Sequence, residues 1–263
     1  MNFLRHALPL ALSTLCVPAC IIELDGDLAE TIEAHIDASC VGGDARSEQF
    51  TIEEPIHAVV VDGGVGDITV RSHAEPGVRG EAELFADSGD AEPLLRVEDG
   101  VLHVSIDCSG RGCCGADLSL AIPADASLEI GHGVGDVDVA DLTGLVAIDV
   151  GTGDIELDNL GGTLGLNTGT GSIEGHDLRG SEVVADVGTG DITLRYEDDA
   201  PLSVVHIDLG VGAVELSVPG GGYALNLDRG VGDVDVSGVE DRGDSGRRID
   251  VDVGTGDIDI RGL

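Results

Sequence analysis

Five copies of the hexapeptide Asp-x-Gly-x-Gly-Asp set two carboxylates on either side of a glycine pair: Asp62 and Asp67, Asp149 and Asp154, Asp186 and Asp191, Asp228 and Asp233, Asp252 and Asp257. Carboxylates beside turn carbonyls are oxygen ligands of the kind calcium takes, so these ten residues are candidate calcium ligands. The motif differs from the calcium β-roll nonapeptide, in which one residue separates the last Gly from the Asp; here Asp follows Gly directly. The same acids can be read as a carboxylate pair for glycoside hydrolysis. With 51 acidic residues in the chain, almost any two could be nominated, which leaves a polysaccharide-acting enzyme as a third reading. A phosphate-cradling Gly-rich loop has to open a helix. These loops run instead into strands such as Ile155-Glu156-Leu157, which excludes nucleotide binding.

The other reactive side chains do not assemble into a catalytic pattern. His57, His73, His103, His132, His176 and His206 are scattered, and no Ser or Cys has a recognisable nucleophile context. His132 lies in a glycine turn and His206 alternates outward with Asp208, so both are expected at the surface. Cys40, Cys108, Cys113 and Cys114 form an even set that reads as two disulfides in an exported chain. Adjacent Cys113 and Cys114 rarely bond each other, so each is expected to reach elsewhere, with Cys40 and Cys108 as available partners. His103 with Cys108, Cys113 and Cys114 has zinc-ligand chemistry, but an oxidising compartment and the lack of a Cys-x-x-Cys pair count against it.

The elements that hold these residues are short alternating strands. Counting degenerate copies, the motif's last position falls at Asp136, Asp154, Ser172, Asp191, Ala213, Asp233 and Asp257, a period of about twenty residues that marks a repeat array. Val146, Ile148 and Val150 alternate with Ala147 and Asp149, and Ile155 and Leu157 alternate with Asp154, Glu156 and Asp158. Aliphatic residues therefore point one way and acids the other. The expected fold is all-β: a parallel β-solenoid of ~20-residue coils, with two facing sheets and a thin aliphatic core. Regular coils are expected from about Leu118 onward, after an irregular N-terminal capping section. At the Asn167 to Ser172 turn both acids are replaced together, as expected if the two positions act as a unit, whereas the Asp208 to Ala213 turn loses only one. The last coil runs almost to Leu263, so the C-terminal coil is expected to leave an open edge for self-association.

Composition agrees with a narrow core: 41 Gly, no Trp, three Phe and two Tyr. All 13 basic residues are Arg, and the formal net charge is -38, which leaves no basic footprint for nucleic acid. Excess acid keeps a glycine-rich β-protein soluble, collects divalent cations, or suits a high-salt habitat.

Residues 1–19 read as a secretory signal peptide, with Arg5 in a short charged region and an apolar stretch from Ala7 to Leu15 too short to span a bilayer. Val17-Pro18-Ala19-Cys20 resembles the bacterial lipobox, which makes Cys20 the candidate lipidation site; Pro18 departs from that pattern. Residues 20–49 read as a lipid-anchored tether and 50–263 as the folded domain. Ile21 after the Cys favours the outer membrane, by analogy with bacterial sorting.

Ala121-Ile122-Pro123-Ala124-Asp125-Ala126-Ser127-Leu128-Glu129-Ile130 leads into Gly133-Val134-Gly135-Asp136-Val137-Asp138-Val139, then Leu142-Thr143-Gly144-Leu145 and serial Gly-Thr-Gly-Asp-Ile units. On these residues, across about 50–263, the chain resembles the bacterial putative-adhesin family of cell-envelope β-solenoids. That resemblance implies a surface role tied to adhesion or envelope stress and brings no catalytic motif. The leading reading is a non-enzymatic envelope interaction module that touches the membrane only through its lipid and meets a glycan or protein ligand. A calcium-binding envelope module is the alternative.

Overall fold

The structure, a computed structural model, describes residues 46–86, 91–108 and 114–263. The leader of residues 1–19, Cys20, Cys40 and Cys113 lie outside the described residues, as do the tether up to residue 45 and the Cys108 side chain.

Twenty-two strands and no helix occur among the described residues. The opening section holds β1 (Arg46–Ile52), β2 (Ala58–Val65), β3 (Ile68–His73), β4 (Val78–Ala86), β5 (Ala91–Glu98), β6 (Val101–Cys108) and β7 (Cys114–Pro123). Five two-strand units follow: β8 (Ser127–Val134) with β9 (Val137–Ala140), β10 (Val146–Thr152) with β11 (Ile155–Asp158), β12 (Leu164–Thr170) with β13 (Ile173–Leu178), β14 (Glu182–Thr189) with β15 (Ile192–Tyr196), and β16 (Val204–Val211) with β17 (Val214–Val218). The chain then forms β18 (Gly221–Val231), β19 (Val234–Ser237), β20 (Val239–Asp241), β21 (Arg248–Thr255) and β22 (Ile258–Gly262).

Alternation decides which side of each strand is buried. In β10, Val146, Ile148 and Val150 are buried while Ala147 and Asp149 face outward; in β11, Ile155 and Leu157 are buried between exposed acids. Each unit lies parallel on the next, with Val146 opposite Leu164 and Ile155 opposite Ile173. The result is two 11-stranded mixed sheets. One runs β1-β4-β7-β3-β9-β11-β13-β15-β17-β22-β19, the other β20-β18-β21-β16-β14-β12-β10-β8-β2-β6-β5. Their inward residues, among them fully buried Val146, Leu164, Val183, Ile155, Ile173 and Ile192, form one aliphatic core. Each such side chain contributes about 1.5–3 kcal/mol by leaving water.

Three features differ from the sequence expectation. The copy at Asp62 to Asp67 is a regular unit, because β2 pairs in parallel with β8 and β3 with β9. Irregularity is confined to the antiparallel strands β1, β4 and β5, which close that end. Strand β1 starts at Arg46, inside the segment read as tether.

The third difference corrects the stacking order. The last unit in sequence, β21 with β22, is inserted between β16 with β17 and β18 with β19. The C-terminal coil is therefore covered on both sides and offers no open edge; the edge belongs to the Asp228 to Asp233 unit. The chain leaves β17 through Pro219 and Gly220 and enters β18 at Gly221, φ +123°, one slot further along the stack. It returns through a turn closed by the Ser245 amide on the Arg242 carbonyl. Arg247 fixes this detour: its guanidinium stacks 3.8 Å from the Tyr223 ring centroid and donates to the carbonyls of Leu202, Pro219 and Gly220. The buried Tyr223 hydroxyl donates to the Pro219 carbonyl at 2.9 Å, and burial pulls the Arg247 pKa below its usual value.

Candidate functional site

The hexapeptide glycines are required by stacking. Gly153 has φ +149°, and a Cβ built on it would meet the Gly135 carbonyl oxygen at 1.9 Å. Gly171 stands in the same relation to Gly153, and Gly256 to Gly212. The first glycine of each motif forms a second column; a Cβ on Gly151 would lie 2.6 Å from the Gly133 carbonyl oxygen. Except at Gly64, where a Cβ would meet nothing, a carbonyl points along the stack at each of these glycines, and a side chain there would push neighbouring units apart.

The second acid of each motif completes the turn's hydrogen bonding. Backbone carbonyls take most turn amides: Gly135 donates to Thr152 and Val137 to Asp154. The amide between them, that of Asp136, faces a carboxylate instead, donating to Asp67 Oδ1 at 3.0 Å. The pattern repeats from Asp154 to Asp136 Oδ1 at 2.8 Å, from Ser172 to Asp154 Oδ1 at 2.7 Å and from Ala213 to Asp191 Oδ1 at 2.8 Å. Asp233 donates likewise to Asp257 Oδ1 at 2.8 Å. Ser172 keeps the role with its hydroxyl, which accepts from the Asp191 amide at 3.2 Å. Ala213 breaks the series, since it presents no acceptor to Asp257 above it. The charge repulsion expected of stacked acids is met rung by rung with a charge-assisted amide bond.

Sequence reasoning missed the start of this ladder. Asp117 Oδ1 accepts from the Asp67 amide at 2.9 Å. The clue was Gly115-Ala116-Asp117, a degenerate copy of the Gly-x-Gly-Asp ending near the start of β7, in which a Cβ on Gly115 would meet the Val65 carbonyl oxygen at 2.1 Å.

The first acids do not join the second ones. Asp149, Asp186, Asp208, Asp252 and Asp228 form an exposed column on the outer face of the β10 sheet, with Asn167 in register between Asp149 and Asp186. Asp62 lies in the same column beyond Gly131. The two acid sets therefore act separately. No three His, Cys, Asp or Glu side chains converge to hold a metal among the described residues. An acidic recess of about 210 Å³ is lined in part by Asp67, Asp136, Asp154, Asp138 and Glu156. Three of its carboxylates already accept turn amides, and Asp138 holds Arg71 through two bonds of 2.8 and 2.6 Å. That pairing raises the Arg71 pKa.

The histidines do not form a site. His132 was expected in solvent but is buried, 7% exposed, because its parity matches Leu128 and Ile130 and it stands opposite Gly63, where the missing Cβ leaves room for the ring. Its Nε2 donates to the Gly66 carbonyl at 2.7 Å, while Nδ1 is buried without a partner. His206 is exposed as expected. His57 and His73 bond backbone carbonyls at 3.0 Å, and His176 faces Arg195 and Glu174. Cys114 is disulfide-bonded and so is no zinc ligand. Tyr196 has a buried hydroxyl without a partner, and burial raises its pKa well above the usual value. Two long outer faces and a ribbon of turns remain as the exposed surfaces of the described residues.

No family model and no curated protein matches the chain. Among solved structures it is similar to a putative cell adhesion protein from Clostridium sporogenes, at 16% identity and a TM-score of 0.43, covering 83% of this chain and 100% of that one. It is similar also to a putative adhesin from Parabacteroides distasonis, at 15% identity and a TM-score of 0.40, covering 82% and 98%. A putative adhesin from Bacteroides fragilis matches at 15% identity and a TM-score of 0.35, covering 83% and 97%.

Proposed function

We propose that this chain is a non-enzymatic interaction module of a bacterial cell envelope, built as a parallel β-solenoid that presents its outer faces to a surface glycan or protein. One observation supports this reading above others: the motif glycines and all the second acids but the last are engaged in stacking, and the first acids stand in an exposed column on an outer face. The glycines give carbonyls room, and the second acids accept amides. What remains is surface. The adhesin names of the solved structures to which the chain is similar agree with this role.

In this proposal the leader is removed ahead of Cys20, lipid on Cys20 holds the domain at the outer membrane, and the tether spaces it from the bilayer. Disulfides among Cys40, Cys108, Cys113 and Cys114 staple the opening section in an oxidising compartment. Calcium binding has less support, because the first and second acids of each turn are not brought together.

The test is to probe an array of glycans and isolated envelope proteins with the intact chain and to recover the bound ligands for sizing. Saturable binding with ligands recovered whole is the expected result. Shortened glycan products would replace the proposal with an enzyme, and no binding to any class would remove it.

A further inference from the structure

The stack ends differently at its two ends. At one end antiparallel β1 and β5 close the sheets, and Pro93, which has no N–H, interrupts β5. At the other lie β18 and β19. Strand β20 covers Gly221 to Tyr223 of β18 and the Asp241 carboxylate takes the Leu225 amide at 3.3 Å, so among the described residues 226–231 and all of β19 present an unpaired parallel edge.

The core is open behind that edge. Leu225, Leu227, Val234 and Val236 are half-buried, whereas the residues opposite them in β21 and β22 are fully buried. Val231 in the turn is 67% exposed. Two charges flank this surface. Arg229 is in register with Val253, a core position, and reaches back to donate Nε–H to the Gly232 carbonyl at 2.7 Å. Its terminal nitrogens have no partner among the described residues. Asp233 ends the carboxylate ladder: its amide is held by Asp257, and no amide lies beyond to use its carboxylate. Although four residues apart, Arg229 and Asp233 form no ion pair with each other.

We propose that this end docks a second copy of the chain across a two-fold axis that passes along the strands through the 229–233 turn. β18 runs toward the turn and β19 away from it, so the rotation lays β18 antiparallel to the second copy's β19, and the reverse. Each unpaired edge gains a ladder, and each Arg229 meets the other copy's Asp233, the reciprocity a two-fold interface requires. The half-buried aliphatic residues of the two end units then cover one another. The other end is less suited, since Pro93 removes an N–H from one of its rims. This proposal stands independently of what ligand the outer faces bind.

The experiment is sedimentation of the full chain in density-matched non-ionic detergent, over a concentration series at about 0.15 M salt, where charge beyond about 8 Å is screened. A concentration-dependent dimer is expected. Arg229→Asp and Asp233→Arg each place like charges across the axis, so each variant alone should dimerise about tenfold or more weakly. An equal mixture of the two should regain the wild-type dimer, because both cross-axis pairs are again opposite. If Arg229→Asp does not melt cooperatively, Asp233→Arg, which removes no hydrogen bond of the chain, decides alone. A strictly monomeric wild type, open-ended oligomers, or dimers indifferent to both reversals would each overturn the proposal.

Discussion

Asp136 and Asp154 are joined by a hydrogen bond that crosses from one unit to the next: the Asp154 amide donates to Asp136 Oδ1 at 2.8 Å. The bond belongs to a series interrupted at a single rung, between Ala213 and Asp257. Replacing Asp154 with Ala should destabilise the chain by about 1 kcal/mol through the stranded Ser172 amide. Asp154→Asn keeps an oxygen acceptor and loses a repelling charge, so it should be nearly neutral. Ala213→Asp should add about 0.5–1 kcal/mol by supplying the missing acceptor. Denaturant unfolding of the three variants checks all of these, and equal losses for Asp154→Ala and Asp154→Asn would show that charge, not the hydrogen bond, matters.

Glycines should divide sharply by position. Gly153→Ala drives a Cβ into the Gly135 carbonyl at a φ that L residues avoid, and should cost about 4 kcal/mol or more. Gly165→Ala adds a Cβ to open space on an outer face and should be neutral or slightly stabilising. Thermal midpoints of the two proteins, compared with the parent, give the answer; similar midpoints would refute the packed-column account.

Tyr196 links stability to alkaline pH. Its folded-state pKa is raised by burial above the ordinary value near 10, so the folded protein holds the phenolic proton more tightly than the unfolded one. This contribution is complete below about pH 10 and drains away as pH climbs from there toward the folded pKa. Tyr196→Phe should abolish that part of the alkaline loss. It should also leave neutral-pH stability unchanged or improved, since the hydroxyl has no partner to lose. Melting midpoints across the alkaline range test both points, together with phenolate absorbance.

Millimolar calcium should not raise the melting midpoint beyond what magnesium does at equal ionic strength. The second turn acids other than Asp233 already accept amides, and the first acids lie on a separate outer face. Saturation at a hundred times a dissociation constant would add about 2.7 kcal/mol. A calcium-specific rise of that size would restore the metal reading.

Local rules made much of this architecture legible. The parity of Val146, Ile148 and Val150 gives the buried face, and the spacing from Asp154 to Ser172 gives the repeat. Parity also contained the burial of His132, which shares it with Leu128 and Ile130; the turn glycines around it masked that signal. The space that admits its ring comes from Gly63, far away in sequence, and no local pattern reports such a pair. Unit order was hidden for a related reason. Every unit shows its neighbours the same glycine carbonyls and the same aliphatic stripe, so the core pattern alone does not say whether β16 meets β18 or β21. The choice is made by Pro219, the glycines after it and the Tyr223 to Arg247 contact, which lie between the units.

The inserted position of β21 and β22 also sets a folding schedule. Stacking follows chain order from β8 as far as β17, and then the next strands to appear, β18 and β19, do not belong on the exposed surface. Residues 221–237 must wait, or sit provisionally on β16 and β17, until residues 248–262 arrive and claim that place. Assembly of this end is thus a competition between two nearly equivalent strands for one seat. A slow phase in refolding, confined to the last two units, is its kinetic signature.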